Sequence, residues 1–232
     1  MKYAIIAAGE GSRLANEGID VPKPLIKIQG VPMIERLVNI FAEHKASSIS
    51  IIVNSRQPET VAKVKEMDSG CIIDLIVKDT AGSMHSFHEL SQFIRGEKFC
   101  LTTVDTIFME EEFNSFIEAL EECEYDGIMA VTDYIDDEKP LYIETDDELN
   151  ITAFCDKPAP TTRYVSGGIY GLTPRAIEIL DSCMEKGIER MRDFQRELVN
   201  SGMRLKAYPF KKIIDIDHAE DIAKAEKFLS EP

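Results

Sequence analysis

Over roughly the first 125 residues, short apolar runs alternate with segments of helical period, and nothing else in the chain restricts its fold as much. Lys2–Ala8 is a brief apolar run stopped by Gly9, as a buried strand requires. Ser48–Asn54, Cys71–Val77 and Lys98–Val104 repeat that texture. Val31–His44 sets Met33, Ile34, Leu37, Val38, Ile40 and Phe41 in one helical stripe, with Pro32 suited to a first turn. Pro58–Met67, Gly82–Ile94 and Glu110–Glu122 carry similar stripes, the last through Phe113, Phe116, Ile117 and Leu120. Strand followed by helix predicts an α/β fold of three layers, a mostly parallel sheet with helices on both faces. Ligands of such sheets bind at the carboxyl ends of strands. Gly9–Arg13 and Asp105 stand at two of these ends.

After Asp126 the pattern changes. Gly127–Thr132, Leu141–Glu144, Ile151–Cys155 and Tyr164–Leu172 read as strands in sequence, with helices at Thr173–Lys186 and Arg190–Ser201. Two short strands, Leu205–Pro209 and Ile213–Ile216, precede a helix over His218–Leu229. No linker or repeat separates the halves, so a single domain over residues 1–232 is expected, in two parts: 1–125 and 126–232.

Charge narrows the partners. The 232 residues carry a formal net charge of −16, which repels nucleic acid and anionic membranes. An anionic substrate would need a local basic pocket or a metal. The five cysteines are scattered without a C-x-x-C pair, so neither a disulfide framework nor a zinc site is expected. No signal peptide and no run of membrane-spanning length is visible, which points to a cytosolic protein.

Within Gly9–Gly30, too long and irregular for an ordinary βα turn, Gly9-Glu10-Gly11 follows a strand. Successive backbone N–H groups there can cradle an anion, Ser12 adds a hydroxyl and Arg13 a forked cation. A dinucleotide fingerprint would need a third glycine where Leu14 stands, and the P-loop pattern is absent. Lys23 lies between Pro22 and Pro24, which predicts an extended backbone and a pre-positioned cation. The bland readings are a surface turn and a solvated lysine.

Together, Ala7-Ala8-Gly9-Glu10-Gly11-Ser12-Arg13-Leu14 and Pro22-Lys23-Pro24-Leu25 resemble the signature of the GT-A-like nucleotidyltransferases. This family includes sugar-1-phosphate nucleotidylyltransferases and phosphocholine cytidylyltransferases. The resemblance implies a nucleotide-diphospho-sugar transferase-like fold that moves a nucleoside monophosphate from an NTP to a phosphorylated acceptor. Residues 1–125 would bind nucleotide and 126–232 the acceptor. Ala7–Arg13 and Lys23 would hold the triphosphate. Thr80-Ala81-Gly82-Ser83-Met84 resembles the base-binding loop, although Ser83 is equally a helix cap, and Val77 stands near the place where some relatives carry Gln.

Asp105 matches the family's Mg²⁺-binding Asp, with Val104 where relatives often have glycine; a turn or cap role is its alternative. Asp215-Ile216-Asp217 would supply further ligands, since alternate residues of a strand share a face. Asp217 also fits a helix cap. The two acids at 215 and 217 point towards CTP or UTP. Asp156-Lys157-Pro158 resembles the family's acidic-Lys-Pro motif, so Lys157 would hold the acceptor's phosphate. Ser166, Gly167 and Gly168 would line its pocket, a strand bulge being the alternative. His85 and His88 lack metal spacing, and a helix face is the simpler reading. Two rivals stand beside this reading: a GT-A glycosyltransferase using Asp215-Ile216-Asp217 as a D-x-D site, and a non-catalytic nucleotide-binding subunit.

Overall fold

The computed structural model describes residues 1–230. Thirteen strands and eight α-helices are found among them. The first half runs β1 (Lys2–Ala7), α1 (Ser12–Asn16), β2 (Lys27–Ile28), β3 (Val31–Pro32), α2 (Met33–Glu43), β4 (Ser48–Val53), α3 (Pro58–Glu66), β5 (Ile72–Val77), α4 (Ser83–Ile94), β6 (Phe99–Thr103), β7 (Thr106–Ile107) and α5 (Glu110–Glu122). The second half runs β8 (Gly127–Thr132), β9 (Tyr142–Thr145), β10 (Ile151–Cys155), β11 (Tyr164–Leu172), α6 (Arg175–Glu185), α7 (Met191–Asn200), β12 (Leu205–Phe210), β13 (Ile214–Asp215) and α8 (Ala219–Ser230).

Nine strands form one sheet whose main path is β10-β9-β11-β6-β1-β4-β5. Strands β6, β1, β4 and β5 are all parallel. Strand β11 runs antiparallel to β6 and brings in the second half, where β12 pairs parallel to β8. The expected three-layer α/β architecture is present. Alternation in β1 shows how both faces are covered. Tyr3, Ile5 and Ala7 enter one apolar cluster with residues of α2 and α5, while Ala4 and Ile6 enter a second with residues of α4, α6 and α7.

Two local expectations are corrected. The Gly9–Gly30 stretch is not irregular throughout: Ser12–Asn16 is a short helix, and β2 with β3 forms a two-residue ribbon. Five residues are too few to display a helical period in sequence. Lys23 is not extended either. It begins a 3-10 turn over Lys23–Leu25, closed by the Leu25 N–H donating to Pro22 O at 2.8 Å and the Ile26 N–H donating to Lys23 O at 3.2 Å. The pre-proline preference yields to those bonds and to the carboxylates that hold the side chain.

The sheet and α5 meet closely at Gly171, where an added Cβ would lie 2.7 Å from the Cδ2 of Leu120, a fully buried side chain. Gly171→Ala is therefore expected to cost about 1–3 kcal/mol by overpacking, read as a lower urea midpoint at unchanged slope. No helix among the described residues is long and apolar enough to cross a membrane.

Candidate functional site

The end of β1 opens into the glycine loop, whose carbonyls are held from beneath. Asn54, buried just beyond β4, donates through Nδ2 to Ala8 O at 3.2 Å, and the Gln57 Nε2 donates to Gly9 O at 3.1 Å. Gly11 takes a left-handed φ of 65° and initiates α1. A Cβ there would stand 3.1 Å from the Lys23 Cβ, so glycine lets the loop and the Lys23 turn close on each other.

Those two segments meet over carboxylates. The Lys23 ammonium lies 2.5 Å from Asp105 Oδ2 and 2.8 Å from Asp217 Oδ1, with only 11% of its side chain exposed. Arg13 Nη1 takes the other Asp217 oxygen at 2.8 Å. Burial opposes the charge on Lys23, but Asp105 and Asp217 outweigh it and hold the ammonium above its usual range. Enclosure likewise opposes charge on Asp217, and Lys23 with Arg13 reverses the effect, so its carboxyl lies below the usual carboxylate range.

Asp105 reaches this point because β6 ends at Thr103 and turns at once into β7, which pairs antiparallel to β13. The pairing sets Asp215 opposite Thr106, and the Ile216 N–H donates to Asp105 O at 3.1 Å. Residues more than a hundred positions apart thus share one corner. Gly168, at φ +73° within an interruption of the β11 register, lets the sheet pass close by: its Cβ would lie 2.8 Å from Thr106 Oγ1. The bulge reading and the close-approach reading of Gly167-Gly168 describe the same feature.

Asp215 and Asp217 do not share a strand face, because β13 ends at Asp215. Asp217 lies in the turn before α8 and does not cap it. The Asp217 and His218 N–H groups donate to Asp221 Oδ2, and the Ala219 N–H donates to Glu17 Oε2. The Asp215 carboxylate makes no hydrogen bond or ion pair among the described residues. The protein packed around it, then the charges of Asp105 and Asp217, push this carboxyl well above the usual range, even though the residue is exposed on the cleft side. No group of three acidic, His or Cys side chains placed to hold a metal occurs among the described residues.

One cleft of about 640 Å³ is lined by Ala7, Ala8, Gly9, Glu10, Gly11, Ser12, Arg13, Lys23, Ala81, Gly82, Ser83, Asp105 and Asp217. Every residue expected to bind nucleotide is therefore gathered there. A second cleft of about 550 Å³ shares Ala81, Gly82, Ser83, Thr103 and Asp105 with the first and adds Ser166, Gly168 and Asp215. Gly167 and Ser166 also line a smaller neighbouring cavity with Asp215 and Asp217. Ser166 donates to Gln195 Oε1 at 3.2 Å, and Gln195 is 3.5 Å from the Tyr170 hydroxyl, whose pKa burial raises to about 12.

Lys157 is exposed on the turn after β10 and lines neither cleft. The cations in the second cleft are Lys139, Arg190 and Arg192, which the sequence reading did not single out. Arg192 is tied to Asp156 at 2.6 Å, whereas Lys139 and Arg190 have no ionic partner among the described residues. Arg190 immediately precedes α7, but nothing in its sequence surroundings marks it as cleft-facing. His85 has a buried Nδ1 without a hydrogen bond, and His88 lies 3.5 Å from Asp181, so the two do not form a joint site.

With this geometry in view, similarity to known proteins is informative. Residues 2–231 match the family model for nucleotidyl transferases. The bifunctional protein GlmU of Methanococcus maripaludis is 26% identical over 234 residues, covering 97% of this chain and 53% of that protein. The chain thus spans about half the length of the GlmU relatives it matches. The UTP–glucose-1-phosphate uridylyltransferase AglF of Haloferax volcanii is 24% identical, with 100% and 97% of the two chains covered. Among solved structures, the inositol-1-phosphate CTP transferase from T. maritima superposes with a TM-score of 0.82 at 20% identity, covering 99% of this chain and 94% of that one.

Proposed function

The chain belongs to the nucleotidyl transferase family, and on that premise we propose that it transfers a nucleoside monophosphate from an NTP to a small phosphorylated acceptor and releases pyrophosphate. One observation carries the reading: the glycine loop, Lys23 and Asp105 line a cleft that opens into a second cleft bearing unpaired cations. The first suits a triphosphate and the second a phosphorylated partner. Residues 1–125 supply most of the nucleotide side and residues 126–232 most of the acceptor side.

An acceptor phosphate oxygen attacks the α-phosphorus, forming one P–O bond as the bond to pyrophosphate breaks. A phosphate monoester, with a second pKa of about 6, is already largely ionised at neutral pH, so no general base is needed. Positioning and charge neutralisation remain. The loop amides and Arg13 hold the leaving pyrophosphate, and Lys23 faces the charge that grows on the α-phosphate.

Asp105 and Asp215 fit a Mg²⁺ ion, being hard oxygen donors on one corner, the Asp215 carboxylate having no hydrogen bond among the described residues. Asp217 is the further carboxylate, now shared by Lys23 and Arg13. When bound, the ion supplies neutralisation and orientation of the phosphate oxygens.

The test is pyrophosphate release from each of the four NTPs with a panel of sugar 1-phosphates, inositol 1-phosphate and phosphocholine. CTP or UTP is expected to support turnover. Binding of NTP without release across the panel would show a non-catalytic protein. The family resemblance gives the acceptor's phosphate to Lys157, whereas the geometry favours Lys139 and Arg190. Arg190→Ala is expected to raise the acceptor KM about tenfold to a hundredfold, the range of a charge-assisted hydrogen bond. Lys157→Ala is expected to raise it by roughly fivefold at most, as for an exposed charge. The reverse order would return the role to Lys157.

A further inference from the structure

The sheet has an unguarded edge. Strand β5 ends the parallel core, pairing with β4 in unbroken register from Ser48↔Ile72 to Val53↔Val77. Its outer N–H and C=O groups have no strand beside them among the described residues. Edges of this kind are usually blunted by prolines, bulges, brevity or inward charges. At the far side of the sheet, β12 carries Lys206 and Pro209, and β10 has a register shift between Ile151 and Ala153. Strand β5 has neither proline nor bulge, and Asp74 is its only charge. Ile72 and Val77 are 65% and 45% exposed, two of the five exposed large apolar side chains among the described residues.

We propose that β5 pairs antiparallel with β5 of a second copy of this chain, making one continuous sheet across a two-fold axis. An axis perpendicular to the sheet keeps each face on its own side, so residues of the same parity oppose each other. Ile76 packs on the α4 side, while Ile73 and Leu75 pack on the side of α2. The faces are therefore Ile72, Asp74, Ile76 and Lys78, against Ile73, Leu75 and Val77.

Charge selects among the registers. Centring on residue 74 sets two Asp74 carboxylates together and is disfavoured. Centring on 75 sets Asp74 opposite Ile76 and Lys78 opposite Ile72. Centring on 76 sets Asp74 opposite the second copy's Lys78 twice, with Leu75 opposite Val77 twice and Ile76 on the axis. Only this last register pairs every charge of the segment 74–78 and keeps apolar groups together. Lys78 is held on that face by Glu89 of α4 at 2.8 Å.

Analytical ultracentrifugation tests the proposal. The wild type should sediment as a species of twice 26.1 kDa. Asp74→Lys alone or Lys78→Asp alone should shift it to the monomer at concentrations where the wild type is dimeric. The double swap Asp74→Lys/Lys78→Asp should restore the dimer, an outcome that damage to the fold cannot mimic. Ile76→Cys in a Cys71→Ser background should cross-link with its own copy on oxidation. A wild type that is monomeric at every concentration would overturn the proposal, leaving the edge to a different chain. So would a dimer that neither charge reversal disturbs, or an Ile76→Cys variant that never cross-links.

Discussion

Lys23→Ala is expected to lower kcat for pyrophosphate release by about 10²–10³-fold, as loss of one charge-stabilising group in a preorganised site does. The ammonium lies between the glycine loop, where a Cβ on Gly11 would stand 3.1 Å from its stem, and the carboxylates of Asp105 and Asp217. Its position is set before any nucleotide arrives, so little reorganisation is left for the reaction itself. The carboxylates that hold it are in the same cleft as the loop amides, so an incoming α-phosphate competes with Asp217 for the same donor. NTP affinity should therefore change much less than turnover. Calorimetric Kd and single-turnover rate, measured on the same variant, separate the two effects. The substitution also leaves Asp105 and Asp217 without their shared cation, so the thermal midpoint should fall. A folded Lys23→Ala enzyme with near-normal turnover would remove Lys23 from the chemistry.

Much of this site could be read along the chain because its donors lie near strand ends. The alternation of strand and helix placed Gly9–Arg13 and Asp105 at carboxyl ends of parallel strands, and both are there. What could not be read depends on contacts between distant segments. Asp105 and Asp215 share a corner through β7 and β13, two strands of two residues each, far too short to leave a periodic signal. Lys23 was expected to be extended from its flanking prolines, a local rule that two turn hydrogen bonds and two distant carboxylates override. Arg190 has no local mark at all, since its value lies in facing a cleft built by β6, β11 and β13. Strand β5 reads from sequence as one more strand of the alternation, with nothing to mark its place in the sheet. Only the strand order reveals it as an edge.

The carboxylates give the last large effect, and here stability and activity are expected to part. Asp215→Asn and Asp105→Asn should each lower Mg²⁺-dependent turnover by about 10²-fold or more, the scale of several kcal/mol of charge stabilisation by a bound cation. Their effects on the metal-free protein should be opposite. The Asp215 carboxyl, though exposed to the cleft, is pushed up by the protein around it and by the charges of Asp105 and Asp217, so its charged form adds repulsion that opposes folding at neutral pH. Asn removes that charge, and the thermal midpoint measured with chelator present should stay level or rise. Asp105 instead holds the Lys23 ammonium at 2.5 Å, and Asn there surrenders a partly buried ion pair, so the midpoint should fall. On the proposed reading, such repulsion would be tolerated because a Mg²⁺ ion arriving with the nucleotide would relieve it. Adding Mg²⁺ with NTP should accordingly raise the wild-type midpoint well above that of Asp215→Asn. If Asp215→Asn turned over at the wild-type rate, or lost stability as Asp105→Asn does, Asp215 would be a structural acid and the ion would have to sit elsewhere.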